Sequence, residues 1–476
     1  MRTITNIIAA LLLTTSAAEA RTPVKPVTPT TKPAAKPAAK PAVQPPKLVP
    51  LPDTEEAAQL RRAFRFAFPI YEMMRTRSVQ LGAARGFGLP NAVNFILPRL
   101  KLADAAAREV TTPNNDTLYG SVWLDLAAGP VIIDMPALPG RYNSAALMGV
   151  NTDVTSIIGT RTGSKGGRYA YVGPGYTGPT PDGAELVRAT SNDAWLLIRV
   201  LVNGEEDLAA AGAAIGGYKV SLPDGRAAAV PAIQTVPVAP DAQTFLAVVN
   251  EALARSASSA ALIARANGFA AQGLTTKWES LTPETRALWT SAMPALRAEL
   301  KVGLGAIGDV VDGWSYPKLA IGEYGEDDDL RSYVALGGLG ALPRLEAMYL
   351  SARVDAAGEA LTGDKAYTVH LPPGLPVGAF WSLTMYQIEA DGRLFFVPNE
   401  LSRYAIGDRS PQLRSNRDGS YDIFIQTGKP SGERVVNWLP APKGKFSLVF
   451  RGYLPRAPLL DSSFRLPAVA VTERIE

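Results

Sequence analysis

The sequence predicts a mainly β fold with helical segments, organised as two β-sandwich domains joined by a helical connector. Two stretches carry short apolar or alternating runs at close intervals, divided by Gly-Pro, Pro-Gly and Asp-Gly punctuation, as stacked antiparallel sheets require. Between them lies an alanine-rich region whose apolar residues recur at helix spacing. A chain of 476 residues, 47% hydrophobic and 19% charged, is long enough to build two or three separate cores.

Residues 1–20 read as a secretory signal peptide: Arg2, an apolar run from Ile7 to Leu13, and the small-x-small site Ala18-Glu19-Ala20. The expected location is therefore the periplasm or the exterior. Residues 21–50 hold nine prolines, six basic residues and no acid, the composition of an extended spacer that reaches about 90 Å at polyproline rise. Residues 51–112 form an N-terminal helical segment. In it Asp53 or Thr54 can cap, Leu60, Phe64 and Phe68 share a face, Pro69 should bend or interrupt the helix, and a second helical or irregular stretch, including Pro90 and Pro98, reaches Ala107.

The first β domain covers 113–240, with strands expected at Leu118–Leu124, Val131–Met135, Tyr142–Val150, Tyr169–Val172 and Ala194–Val202. The connector covers 241–345, with one helical region from Asp241 and another after the start signal Thr282-Pro283-Glu284. The second β domain covers 346–476. After a helix-like segment at Leu345–Ala360, strands are expected at Tyr367–Leu371, Ala379–Ile388, Tyr421–Gln426 and Phe446–Phe450.

Several chemistries are excluded by composition. Cysteine is absent, so no disulfide, thiol nucleophile or cysteine-linked lipid exists. His370 is the one histidine, which removes any site needing two imidazoles, and no Gly-x-Ser-x-Gly elbow accompanies it. Gly159–Lys165 has its glycines one residue too close for a phosphate loop, and Glu326-Asp327-Asp328-Asp329 lacks the alternation of a calcium loop. No metal and no cofactor is expected. Of the formal net charge of +4, residues 21–50 contribute +6 and residues 1–20 none, leaving −2 on the remainder. No nucleic-acid partner is therefore indicated for the globular part, and no later stretch approaches the length of a transmembrane helix.

Carboxylate acid–base chemistry remains available. Asp116, in the polar turn Thr112-Pro113-Asn114-Asn115-Asp116-Thr117-Leu118-Tyr119, and Asp408, in Arg403-Tyr404-Ala405-Ile406-Gly407-Asp408-Arg409, are the catalytic candidates. Asn114, Asn115, Tyr119, Tyr386, Arg403 and Asn437 are the ligand-binding candidates, because amide, phenol and guanidinium groups hold sugars, aryl rings and anions. Each has a structural alternative, since Asn and Asp set turns and Arg–carboxylate pairs fix loops. In Phe380-Trp381-Ser382-Leu383-Thr384-Met385-Tyr386, strand alternation puts Trp381, Leu383 and Met385 on a core face and Ser382, Thr384 and Tyr386 on the other.

The turn motif at Thr112–Tyr119 resembles the bacterial family of unknown function numbered twelve fifty-four. The blocks at Phe380–Tyr386, Arg403–Arg409 and Asn437-Trp438-Leu439-Pro440 resemble its companion numbered twelve fourteen. The resemblance implies sandwiches, the second of the jelly-roll kind seen in peptide-N-glycosidase-like proteins, and brings no established catalytic residues. Three functions are carried forward: binding of a glycan, aryl or other envelope-related small ligand, carboxylate-dependent hydrolysis of glycosidic or amide bonds, and a purely structural envelope role. Self-association as a homo-oligomer is compatible with each.

Overall fold

The computed structural model describes residues 50–89, 92–108, 111–223, 236–390 and 392–474. The expected signal peptide, and the linker except Pro50, lie outside the described residues. Two sheet-rich regions are separated by helical segments. No described helix is long and apolar enough to cross a membrane.

The chain enters through the helix Glu55–Gly86, capped by Thr54, whose hydroxyl accepts from Ala57 N at 3.3 Å. Pro69 does not interrupt it. The proline removes one helical bond, but Ala63 to Met74 are buried without a break, so packing holds the turn that local propensity would surrender. The stretch to Ala107 expected to be helical or irregular contains a strand instead, Ile96–Arg99, which pairs with Thr117–Asp125.

In the first region a five-stranded antiparallel sheet runs in the order Ile96–Arg99, Thr117–Asp125, Asp193–Leu201, Asn143–Gly149, Val154–Gly159. A second sheet runs Glu185–Arg188, Gly167–Val172, Val131–Met135, Lys219–Ser221. Alternation decides what meets between them: Leu118, Val122, Leu196, Ile198 and Val200 form one core with Val131, Ile133 and Tyr171 of the other sheet. The opposite face of the five-stranded sheet carries Trp123 and Trp195, stacked at 4.9 Å, and packs on the helices Glu55–Gly86, Ala242–Arg255 and Pro283–Gly303.

The second region holds a seven-stranded sheet with the path Gly308–Val311, Trp314–Pro317, Ala347–Ala352, Phe446–Tyr453, Trp381–Ile388, Leu394–Phe395, and Ala405–Gly407 beside Trp381–Ile388. Its companion sheet runs Trp438–Pro440, Tyr421–Gln426, Ala366–Leu371, Ala470–Thr472. Two strands of the large sheet come from the stretch read as connector. The segment read as helix-like at Leu345–Ala360 contains the strand Ala347–Ala352: Met348, Leu350 and Ala352 enter the core at period two, while Ala347 and Tyr349 face away from it. Trp381, Leu383 and Met385 join that core, and Ser382, Thr384 and Tyr386 turn outward toward the first region.

Candidate functional site

Where the outward faces of the two large sheets meet, the buried layer between them is polar and aromatic instead of aliphatic. Asp116, 4% exposed at the mouth of Thr117–Asp125, accepts from Ser382 Oγ at 2.7 Å and from Arg409 Nη2 at 3.0 Å. Arg409 also donates to Val202 O at 2.9 Å and lies 4.2 Å over the Phe380 ring. Asn114 Oδ1 accepts from Asp116 N at 2.6 Å, which shapes the turn, and its Nδ2 donates to Tyr453 Oη at 2.7 Å. The turn expected to be polar is thus a clasp between the two regions.

Deeper in the layer, Tyr386 donates to Pro113 O at 2.5 Å and accepts from Arg451 Nη2 at 2.6 Å, while Arg451 Nη1 donates to Thr384 Oγ1 at 2.5 Å. Burial pushes the Tyr386 phenol up to about 12, against the opposing pull of Arg451, so it stays a neutral donor. Tyr142 donates to Glu346 Oε1 at 2.7 Å. Burial raises the Glu346 carboxyl above its ordinary range, with the Tyr142 bond opposing, and raises Tyr142 and Tyr453 well above theirs. Phe380 and Tyr453 stack at 4.0 Å, with the Tyr142 ring edge-on to both.

Two cations complete the layer. Arg199 is 5% exposed and Arg451 is 3% exposed. Among the described residues, neither has a carboxylate in ion-pair contact. Arg199 donates Nη2 to Gly340 O at 2.9 Å, whereas its Nε and Nη1 have no protein partner. Each such buried donor costs about 1–3 kcal/mol if nothing else meets it. Tyr119 lies 5.6 Å from the Arg199 guanidinium and Tyr349 lies 6.0 Å from that of Arg451. These two tyrosines stay partly accessible although the flanking strand positions are buried.

The sequence candidates divide. Asn114, Asp116, Tyr119 and Tyr386 converge on this layer. Asn115 turns aside and donates to Ala103 O at 2.6 Å. Arg403 and Asn437 do not face the layer: Arg403 donates to Val435 O and Trp438 O at 2.9 and 2.8 Å, and Asn437 bonds Arg414 N, Arg414 O and Asp422 O. Both spend their polarity on backbone. The hollow beside Arg403 measures about 20 Å³, room for little more than a water. Asp408 accepts from Trp381 N at 3.3 Å and meets Arg409 Nε at 3.5 Å; burial raises its carboxyl, and Asp116 raises it further.

His370 pairs with Asp422 at 2.7 Å on an exposed strand face, and Asp327 caps the helix Asp328–Gly338 through Leu330 N. No cluster of three metal-binding side chains occurs among the described residues. Sequence reasoning missed Arg199, Glu346, Arg451 and Tyr453. A signal was available for two of them: Arg199 and Arg451 each stand as a lone charge in the apolar runs Ala194–Val202 and Phe446–Tyr453.

Fold and site together define a protein of two sheet-rich regions closed on a buried arginine–tyrosine layer. The chain carries an N-terminal domain matching the family described as Protein of unknown function (DUF1254) over residues 93–221 and a C-terminal one matching Protein of unknown function (DUF1214) over 346–457, the pairing that its sequence motifs resemble. A crystal structure of a protein from Vibrio parahaemolyticus is similar at a TM-score of 0.66 and 23% identity, covering 88% of this chain and 100% of that one, which shows a shared fold. An uncharacterised protein from Burkholderia cenocepacia aligns over 89% of this chain and 91% of its own at a TM-score of 0.45 and 12% identity. No curated protein sequence matches the chain.

Proposed function

We propose that the protein binds a small ligand that joins an acidic group to a ring, such as an acidic sugar or an aryl acid, between its two sheet regions. One observation carries this reading: the Arg199 guanidinium is buried with two nitrogens unpartnered, beside the partly accessible ring of Tyr119. A carboxylate would accept from one of these two nitrogens, which lie on different edges of the guanidinium, and the tyrosine rings would stack on the ligand. Asn114, Tyr386 and Arg451 would line the same space, and Arg403 and Asn437 would support it from a distance.

The proposal includes the setting. Export by the signal peptide places the protein in the periplasm or outside the cell, and the linker at 21–50 gives it reach along the envelope. Jelly-roll-like sandwiches at the two sheet-rich regions belong to this reading, with the expected divisions 113–240 and 346–476 extended by the strand Ile96–Arg99 and by the hairpin Gly308–Val311 and Trp314–Pro317. A thermal-shift screen of acidic and neutral sugars and aryl compounds tests it. Acidic ring compounds should raise the midpoint while their neutral amides do not; absence of any shift with acidic compounds or envelope extract sinks the reading.

Hydrolysis through carboxylates stands second, favoured by Asp116 and Asp408 meeting one guanidinium while burial raises Asp408. It ranks lower because both Asp116 oxygens are already engaged. If wild-type protein cleaves no aryl glycoside or glycosyl amide, or Asp408→Asn cleaves as fast, this reading fails.

A further inference from the structure

A second site, sharing no lining residue with that layer, lies where the hairpin Gly308–Val311 and Trp314–Pro317 meets the turn that follows the short helix Ala457–Leu460. A pocket of about 210 Å³ is lined by Asp309, Val311, Tyr316, Pro317, Arg344, Ser462 and Arg465. Its volume is below that of a drug-sized ligand site and suits a compact group. Two features set its chemistry.

First, its arginines are not neutralised. Arg344 donates Nη2 to Leu460 O, and its Nε is buried with no partner. Arg465 donates Nε to Ser462 O at 3.3 Å. Among the described residues neither has a carboxylate in ion-pair contact, and the acid that lines the pocket, Asp309, is paired with Lys318. In agreement, burial alone acts on the Arg344 guanidinium and lowers it, with no acid pulling it back. Second, two hydroxyl-bearing residues line the same pocket. Tyr316 Oη accepts from Leu466 N at 2.9 Å, which leaves its own proton to give, and the Ser462 hydroxyl adds another. Two guanidinium groups and two hydroxyls around a compact volume form the donor set that tetrahedral oxyanions use.

We infer that the Arg344–Arg465 pocket is a binding site for a phosphate-class oxyanion, separate from the interdomain layer. The group can reach it as free phosphate or as the headgroup of an anionic lipid. The lipid source has local support in exposed Leu319 and Leu345, which adjoin Pro317 and Arg344 in sequence and are 79% and 53% accessible.

The test uses the full chain in two arms. Inorganic phosphate is titrated calorimetrically into wild type, Arg344→Gln and Arg465→Gln, with chloride as control. Arg465→Gln keeps the interpretation open should the half-buried Arg344 variant misfold. The same proteins are then sedimented with phosphatidylglycerol and phosphatidylcholine vesicles, with and without phosphate as competitor.

Phosphate binding that weakens about fivefold or more in Arg465→Gln supports the site, since one cation near an anionic surface is worth about that factor. Sedimentation with phosphatidylglycerol that falls by a similar factor in the variant and is competed by phosphate identifies the lipid source; phosphate binding without sedimentation identifies the free anion. Phosphate that fails to bind wild type overturns the inference, as does equal binding in both arms by wild type and Arg465→Gln, which would assign any vesicle attraction to the basic residues 21–50.

Discussion

Truncating Asp116 to alanine should loosen the joint between the two sheet regions more than any other single change in the clasp. The carboxylate is 4% exposed and accepts from Ser382 at 2.7 Å and Arg409 at 3.0 Å. Removing one partner of a buried pair costs about 3–5 kcal/mol. The Arg409 side chain is 17% exposed, and it keeps Val202 O and the Phe380 face, so the low end, about 3 kcal/mol, is expected. Equilibrium urea unfolding followed by tryptophan fluorescence measures the loss. A double-mutant cycle with Arg409→Ala then isolates the pair, and a coupling of about 2 kcal/mol is expected for groups in one buried network. If the two losses add to within about 0.5 kcal/mol, the pair carries no joint energy and the clasp is not what holds the regions together.

Two further perturbations follow from the same geometry. Burial raises the Glu346 carboxyl, so in the window above the ordinary glutamate value of 4.5 the folded state binds more protons than the unfolded one and stability falls as pH rises. Glu346→Gln keeps a partner for Tyr142 and removes that slope: its midpoint relative to wild type should climb from about pH 4.5 upward and then level off, and a flat difference across pH contradicts the assignment. Gly407 sits where an added Cβ would lie 2.2 Å from the backbone oxygen of Trp381. Gly407→Ala must therefore push Ala405–Gly407 off its neighbour, carrying Asp408 and Arg409 with it. A loss of about 2 kcal/mol or more in urea unfolding is expected, together with loss of the Asp116–Arg409 coupling; a silent substitution would show that the strand has room to shift.

Much of the fold was legible because period-two alternation survives in the sequence. Val131–Met135 and Tyr421–Gln426 fall where expected. The misreadings have physical causes. Ala347–Ala352 is rich in good helix formers, and pairing with Trp314–Pro317 on one side and Phe446–Tyr453 on the other makes it a strand. Pro69 reads as a breaker, yet the buried middle of the helix, Ala63–Met74, tolerates it. At the site, Asp116 and Tyr386 were visible as polar groups in distinctive motifs, and Ser382, Thr384 and Tyr386 were assigned to the correct shared face. What joins them was not visible, because Asn114 meets Tyr453 across 339 residues and Asp116 meets Ser382 across 266. No local period encodes such pairings. Arg403 and Asn437 misled for the converse reason: their side chains are as polar as a ligand site needs, but they cap loops within their own region.

Whether the buried Arg199 guanidinium takes the acidic group of a ligand is addressed directly by the substitution Arg199→Met. A buried charge without a partner is costly, and replacing such groups by well-packed apolar ones is often neutral or stabilising by about 1–4 kcal/mol. Thermal unfolding of wild type and Arg199→Met, each with and without the acidic ring compound that shifts wild type most, gives the decisive comparison. The account predicts a variant at least as stable as wild type alone that gains nothing from the compound. A variant that is less stable alone and still gains the full shift would contradict it, making Arg199 a structural residue and placing the ligand elsewhere.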